Sequence, residues 1–151
     1  MAAADNPLWP KPTRKRRFKN IAYMDKIRDE APDGIIITLP AKYFEECDHE
    51  TYLHEIQAMN ENDTKIWYRV MNRLPVLDFL YVYTIVDNKV HHRAQFAGLV
   101  RGKNLFFTRR DGSRCMFPNA NAVMMCGPII MCPEEIEMRG FRGFRYTHKL
   151  F

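Results

Sequence analysis

The hydrophobic period of this chain changes near residue 64, and that change limits the fold more than any other feature. Upstream, apolar residues recur at helical spacing: Tyr43, Phe44 and Cys47, then Tyr52, Leu53, Ile56 and Met59, with Asp48 placed as an N-cap between two segments. One broken helix, or two short ones, is expected from Ala41 to Asn60, following Pro40 in a first-turn position. Before it, Gly34 to Thr38 is a β-branched run bounded by turn residues, the pattern of a buried strand. Beyond residue 64 the period becomes two, or the apolar runs become continuous. The expected strands are Lys65 to Met71, Phe79 to Val86, Lys89 to Val100, Leu105 to Arg109, Arg114 to Phe117, Ala122 to Met125 and Phe144 to Thr147. Asp87-Asn88 and Asp111-Gly112 supply tight turns. Helices confined to the first half and many short strands after it predict an α+β fold built on a small closed or nearly closed β-barrel.

The chain has 151 residues, enough for one core and a tail, and 46% of them are apolar, far from the composition of a disordered chain. Residues 1–20 read as a basic extended arm and residues 21–151 as a single domain, beginning with a short amphipathic helix from about Ile21 to Glu30. In the arm, Trp9 sits between two prolines and is costly to leave in water, so it is expected to pin the arm to the domain or to a partner. No apolar run approaches the roughly 20 residues that a spanning helix needs. The first residues lack the continuous apolar stretch of a signal peptide. The expectation is therefore no membrane and a cytoplasmic location, or a nuclear one in a eukaryote.

The net charge is +5, from 23 Lys and Arg against 18 Asp and Glu, and its distribution says more than its sum. Lys11 to Lys19 (KPTRKRRFK) holds six basic residues in nine, Arg14, Lys15, Arg16 and Arg17 among them. Arg139, Arg142, Arg145 and Lys149 recur near the other end, and the acids cluster between Asp25 and Asp63. Such segregation favours a polyanion. The basic run reads equally as a solvated tail, a nuclear localisation signal or a contact with nucleic acid.

Catalytic signatures are missing. Ser113, the one serine, follows the Asp-Gly turn and reads as a turn residue. His49, His54, His91, His92 and His148 show no metal-pair spacing, and Cys47, Cys115, Cys126 and Cys132 form no Cys-x-x-Cys pair. Cys115 and Cys126 read as small buried hydrophobes. The glycines assemble into no phosphate-cradling loop, so no cofactor is expected.

Two constellations remain. In Trp67 to Arg73, strand alternation puts Trp67, Arg69 and Met71 on one face and Tyr68, Val70 and Asn72 on the other. Trp, Tyr and Arg walls can stack a base and bind its phosphate, although the same strand also reads as core aromatics with snorkelling arginines. The second is Gly127 to Tyr146 (GPIIMCPEEIEMRGFRGFRY), whose double Gly-Phe-Arg reads as a closing strand with Arg142 and Arg145 facing solvent.

The order of these pieces, a helix-containing first half, then Lys65-Ile-Trp-Tyr-Arg69, Leu80-Tyr-Val-Tyr-Thr84, Phe96-Ala-Gly-Leu-Val100 and finally the Gly127 segment, resembles the PUA-like superfamily, particularly its ASCH and EVE domains, over roughly residues 34–147. The resemblance implies a pseudo-barrel with a cleft beside the early helix, and binding of RNA or a modified nucleotide; some ASCH members are nucleases or nucleoside amidohydrolases. Arg69 looks like the arginine of the family's Glu-x-Arg strand, while the position of its glutamate holds Trp67. Without that carboxylate, binding is favoured over turnover. Three functions follow as expectations. The first is a nucleic-acid-binding module whose cleft (Trp67, Arg69, Tyr83, Arg145) takes a base of RNA or another single strand while the arm holds phosphates, with Lys42, Thr84 and Arg142 as further contact residues. The second is a hydrolase of modified nucleosides or RNA using Lys42, Thr84 and Glu45 or Glu46. The third is a protein-interaction or inhibitory module, such as a viral one, with an acidic protein partner.

Overall fold

The computed structural model describes residues 31–61, 66–109 and 111–151. The expected basic arm with Arg14, Lys15, Arg16 and Arg17, the Trp9 anchor and the Ile21 to Glu30 helix lie outside the described residues.

The fold is α+β: a mixed six-stranded sheet and one α-helix. β1 (Gly34–Thr38) leads through a 3-10 turn (Ala41–Glu45) into α1 (His49–Glu61), then come β2 (Trp67–Val70), β3 (Tyr81–Val86), β4 (Lys89–Thr108), β5 (Arg114–Met131) and β6 (Phe144–Thr147). The strand order is β2-β5-β4-β3-β1-β6, with β1 and β3 parallel and every other pair antiparallel. No helix among the described residues is long and apolar enough to cross a membrane.

The expected closed barrel is not formed by this pairing, because β2 and β6 stand at opposite ends of the order. The reason lies in β4 and β5. Four of the short strands expected from the sequence are pieces of these two long ones. Gly102 and Asn119, which fall between the expected strands, and Gly98, inside one, are positive-φ positions at or near register shifts of one continuous hairpin. Side-chain amides take up backbone donors there: Gly102 N–H donates to Asn121 Oδ1 at 3.0 Å and Asn119 N–H to Asn104 Oδ1 at 3.0 Å. The extra length pairs strand to strand only within the hairpin, and supplies no further strands to close a barrel.

Alternation along the inner strands builds two cores. On one face, Ile35 and Ile37 of β1, Val82 of β3, Ala94 of β4 and Val123 and Met125 of β5 pack with Tyr52, Ile56 and Met59 of α1. α1 forms because Asp48 caps it, Thr51 N–H donating to Asp48 Oδ1 at 2.7 Å, and because those three buried residues recur on one stripe. Its last turn lies so close to β5 that a Cβ on Gly127 would meet the Met59 carbonyl oxygen at 2.4 Å. Asn60 fastens the contact, accepting from Ile129 N–H at 2.5 Å and donating to its carbonyl at 3.4 Å. The rest of this face is covered by the β2–β3 connection, held where Val76 and Leu77 N–H donate to Tyr146 Oη at 2.8 and 3.2 Å.

On the opposite face Ile36, Tyr83, Ile85 and Val90 pack under the irregular chain that flanks β6, through Ile136, Met138, Phe141, Leu150 and Phe151. Tyr83 Oη donates to the Phe151 oxygen at 3.4 Å and accepts from Leu150 N–H at 3.1 Å, and the Arg93 guanidinium donates to that same Phe151 oxygen while lying over the Tyr81 ring. Of the cysteines, Cys47 is buried; Cys115 and Cys126, both on β5 and expected to be buried, are only partly so.

Candidate functional site

The α1 side of the sheet is not filled. A cavity of about 150 Å³ lies between α1 and the strands, lined by aliphatic residues and methionines and by Thr38, Tyr43, Tyr52, Trp67, Tyr68, Arg69, Thr84 and His92. Its position follows from register. Trp67 and Arg69 of β2 stand opposite Met125 and Val123 of β5, both on the α1 face, while Thr84 of β3 lies opposite Ile37 of β1 and His92 of β4.

A β-bulge brings His92 there. Thr84 pairs with His92 but Ile85 pairs with Val90, so His91 is the extra residue. Val90 and His92 consequently point to opposite faces although they are two apart, Val90 packing with Ile85 and His92 facing α1. His91 and His92 share a hydrogen bond between their Nδ1 atoms at 2.8 Å, one ring donating and the other accepting. Burial, with His91 beside it, pushes His92 down to about pKa 3, and burial lowers His91 as well. At neutral pH the His92 ring at the cavity is therefore uncharged.

Tyr52 organises the aromatic wall. Its ring is 3% exposed and lies 5.5 Å from that of Tyr43, 5.7 Å from Phe44, 5.9 Å from Trp67 and 6.0 Å from His92, centroid to centroid. Burial, then the neighbouring Tyr43, raises its phenol pKa, so the hydroxyl stays protonated. Tyr43 in turn donates to Glu55 Oε2 at 3.2 Å.

Arg69 is the charged group of the site. Its Nη2 donates to the Thr38 carbonyl oxygen at 3.0 Å, across the end of β1. Burial lowers its pKa, and an arginine so shifted still carries its charge. Among the described residues no carboxylate forms an ion pair with it, and none lines the cavity. A half-buried guanidinium without an acid, on a wall of aromatic rings, is equipped to meet an oxygen-rich ligand.

Of the residues singled out in the sequence, Trp67, Arg69 and Thr84 meet at this cavity. Tyr83 and Arg145 do not. Both stand opposite Ile36, on the far face, where Tyr83 is sealed in the second core and Arg145 lies 4.1 Å over the Phe141 ring. Tyr83 and Thr84 are neighbours on one strand and so cannot face the same cleft. Arg142 is exposed in the loop before β6, and Lys42 is exposed on the 3-10 turn and does not line the cavity. Glu45 and Glu46 are also exposed there, clear of the cavity wall. Tyr52 and His92 were missed. Tyr52 carries a visible signal, since it leads the apolar stripe of α1 and bears a polar tip; the bulge that turns His92 inward leaves none in the local sequence.

No group of three or more His, Cys, Asp or Glu side chains among the described residues is arranged to hold a metal ion. In comparisons with known proteins, no family model, no curated protein and no solved structure matches this chain.

Proposed function

We propose that the chain is a nucleic-acid-binding module that takes one unstacked base, or a modified nucleotide, into the cavity beneath α1. The observation that carries this reading is the convergence of Trp67, Tyr52, Arg69 and Thr84 on one space of about 150 Å³. That is smaller than the roughly 300–1,000 Å³ of pockets for drug-sized ligands, and a cavity near 150 Å³ is known to hold a single aromatic ring. Trp67 and Tyr52 offer ring faces for stacking; Thr84 and the neutral His92 offer hydrogen bonds to a base edge; Arg69 offers charge to a phosphate or a carbonyl. The Lys11–Lys19 arm adds phosphate contacts. The PUA-like pseudo-barrel belongs to the same proposal, with α1 as the helix beside the cleft.

Binding is preferred to hydrolysis because the cavity offers a proton-transfer reaction little. Among the described residues no carboxylate lines it, and a histidine with a pKa of about 3 is too weak a base at neutral pH. An acidic protein partner would need none of the aromatic wall.

Fluorescence anisotropy with labelled single-stranded RNA and DNA at two salt concentrations tests the proposal. Binding is expected to weaken with salt, with a slope of about 0.7 per phosphate neutralised. Arg69→Lys, which keeps the charge but loses the planar fork, should cost about tenfold in affinity. Absence of binding at low salt would end this reading.

A further inference from the structure

The hairpin of β4 and β5 outruns the sheet. β3 pairs with β4 only as far as Gln95, and β2 pairs with β5 only over Ala122 to Met125. Beyond Val100 and Asn121 the two strands pair only with each other, through Lys103↔Ala120, Leu105↔Phe117, Phe106↔Met116, Phe107↔Cys115 and Thr108↔Arg114. The ribbon bends back toward β2 rather than running straight out, since Phe107 near its tip lies 6.1 Å from Tyr68, ring centroid to centroid.

Its surface is unusual for a two-stranded ribbon. Phe106 is 69% exposed, Met116 50% and Phe117 44%. Phe106 and Met116 share one side of the ribbon; Phe107 and Phe117 meet edge to face on the other, with ring centroids 5.5 Å apart, and Phe107 reaches Tyr68 at the base. Exposed Arg101 and Lys103 on one side and Arg109 and Arg114 at the turn end flank the rings along the ribbon. From Arg101 to Pro118 the sequence holds five Lys and Arg and one acid, Asp111, a local charge of +4. That acid is occupied at the turn, where Ser113 N–H and Oγ–H donate to it at 2.8 and 2.6 Å.

We infer that this ribbon is a second nucleic-acid contact, an arm around which a single strand wraps, with bases stacked on Phe106 on one side and on Phe117 on the other and phosphates held by Arg101, Lys103, Arg109 and Arg114. The inference rests on the nucleic-acid reading of the cavity and extends it to a separate surface. Charge selects the occupant. A second copy would bring the same positive ribbon, and the Lys11–Lys19 segment carries positive charge too, so neither complements this surface; a polyanion does. Side-chain type then selects the strand. A ribbon reading a duplex presents polar donors to base edges in the major groove, whereas the outward residues here are Phe and Met, which stack on unpaired bases.

The test uses the full chain and a fluorescein-labelled oligouridylate of about 16 nucleotides, followed by anisotropy, with a duplex of equal length in parallel. Phe106→Ala with Phe117→Ala should weaken the single-strand complex by about tenfold or more and leave the salt slope unchanged. Replacing Arg101, Lys103 and Arg114 by Gln should lower the slope by about 2. All five positions are exposed, and thermal melts would show that the variants remain folded. The inference is overturned if the aromatic variant binds within about twofold of the wild type, or if the duplex binds more tightly and only the charges matter. In a Trp9→Phe background, quenching of Trp67 by a nucleoside monophosphate reports the cavity alone. If that quenching persists while the oligomer fails to bind, the ribbon assignment falls and the cavity stands.

Discussion

The two faces of the sheet are built from the same strands and differ in what covers them. On the far face, Ile36, Tyr83, Ile85 and Val90 meet the chain around Phe141, Leu150 and Phe151, and the polar ends of Tyr83 and Arg93 are spent on backbone groups of that cover. On the α1 face, the polar ends of Thr84, His92 and Arg69 border an open volume. Neighbouring residues on β3 therefore do opposite work: Tyr83 closes a core and Thr84 edges a pocket. Protein interiors normally reach crystal-like density, so a cavity bordered by Arg69, by Thr38, Thr84 and the neutral His92, and by the rings of Tyr43, Tyr52, Trp67 and Tyr68 is the face on which a ligand is proposed to replace core contacts.

The contrast can be broken in several ways, beginning with the closed face. Tyr83→Ala should cost about 3–5 kcal/mol in urea denaturation, as for other large aromatic truncations in a filled core. A loss below ~1 kcal/mol would mean that the far face is not the filled one. On the α1 face the largest effect is on acid stability. The folded pKa of His92, about 3, lies below its ordinary value of 6.5, so between these the unfolded chain holds a proton that the folded chain does not. Stability is then complete above about pH 6.5 and falls as the pH drops toward 3, by about 3 kcal/mol after allowing for relaxation around the protonated ring. His92→Gln should flatten that part of the profile in a series of thermal melts; an unchanged profile would place the titration elsewhere. Tyr146→Phe removes the acceptor shared by Val76 and Leu77 and should cost about 1–3 kcal/mol by the same measurement. Lys42→Ala should be the smallest, within about 0.5 kcal/mol of the wild type, and should leave ligand binding at the cavity unchanged, because its side chain does not line the wall.

What could be read from the sequence was whatever local residues decide. β1 and β6 have the bounds expected from their β-branched and aromatic runs, and the Asp87-Asn88 turn has positive φ at both residues, as its composition demands. Asp48 caps α1 as its type and place implied. Long-range pairing was beyond local reading. Glycine and asparagine inside β4 and β5 resemble strand ends, and only the partner strand shows that they are bulges. For the same reason the sequence divides a long hairpin into short strands and suggests a closed barrel. The site shows both regimes. Trp67 and Arg69 share a face by period-two alternation, which any strand obeys. Arg145 goes to the far face because β6 pairs with β1 in a register that puts it opposite Ile36, and His92 turns inward because His91 is bulged.

The central claim is that a base enters the cavity beneath α1, and Trp67 lies on its wall as a reporter. With Trp9 replaced by Phe, so that Trp67 is the sole tryptophan, fluorescence is followed while a nucleoside monophosphate is added to the otherwise unchanged chain and to a form carrying Ala94→Leu, which fills the space from β4. Saturable quenching that Ala94→Leu abolishes while the fold survives is the predicted result. Unchanged fluorescence, or equal quenching in the filled variant, would contradict the account.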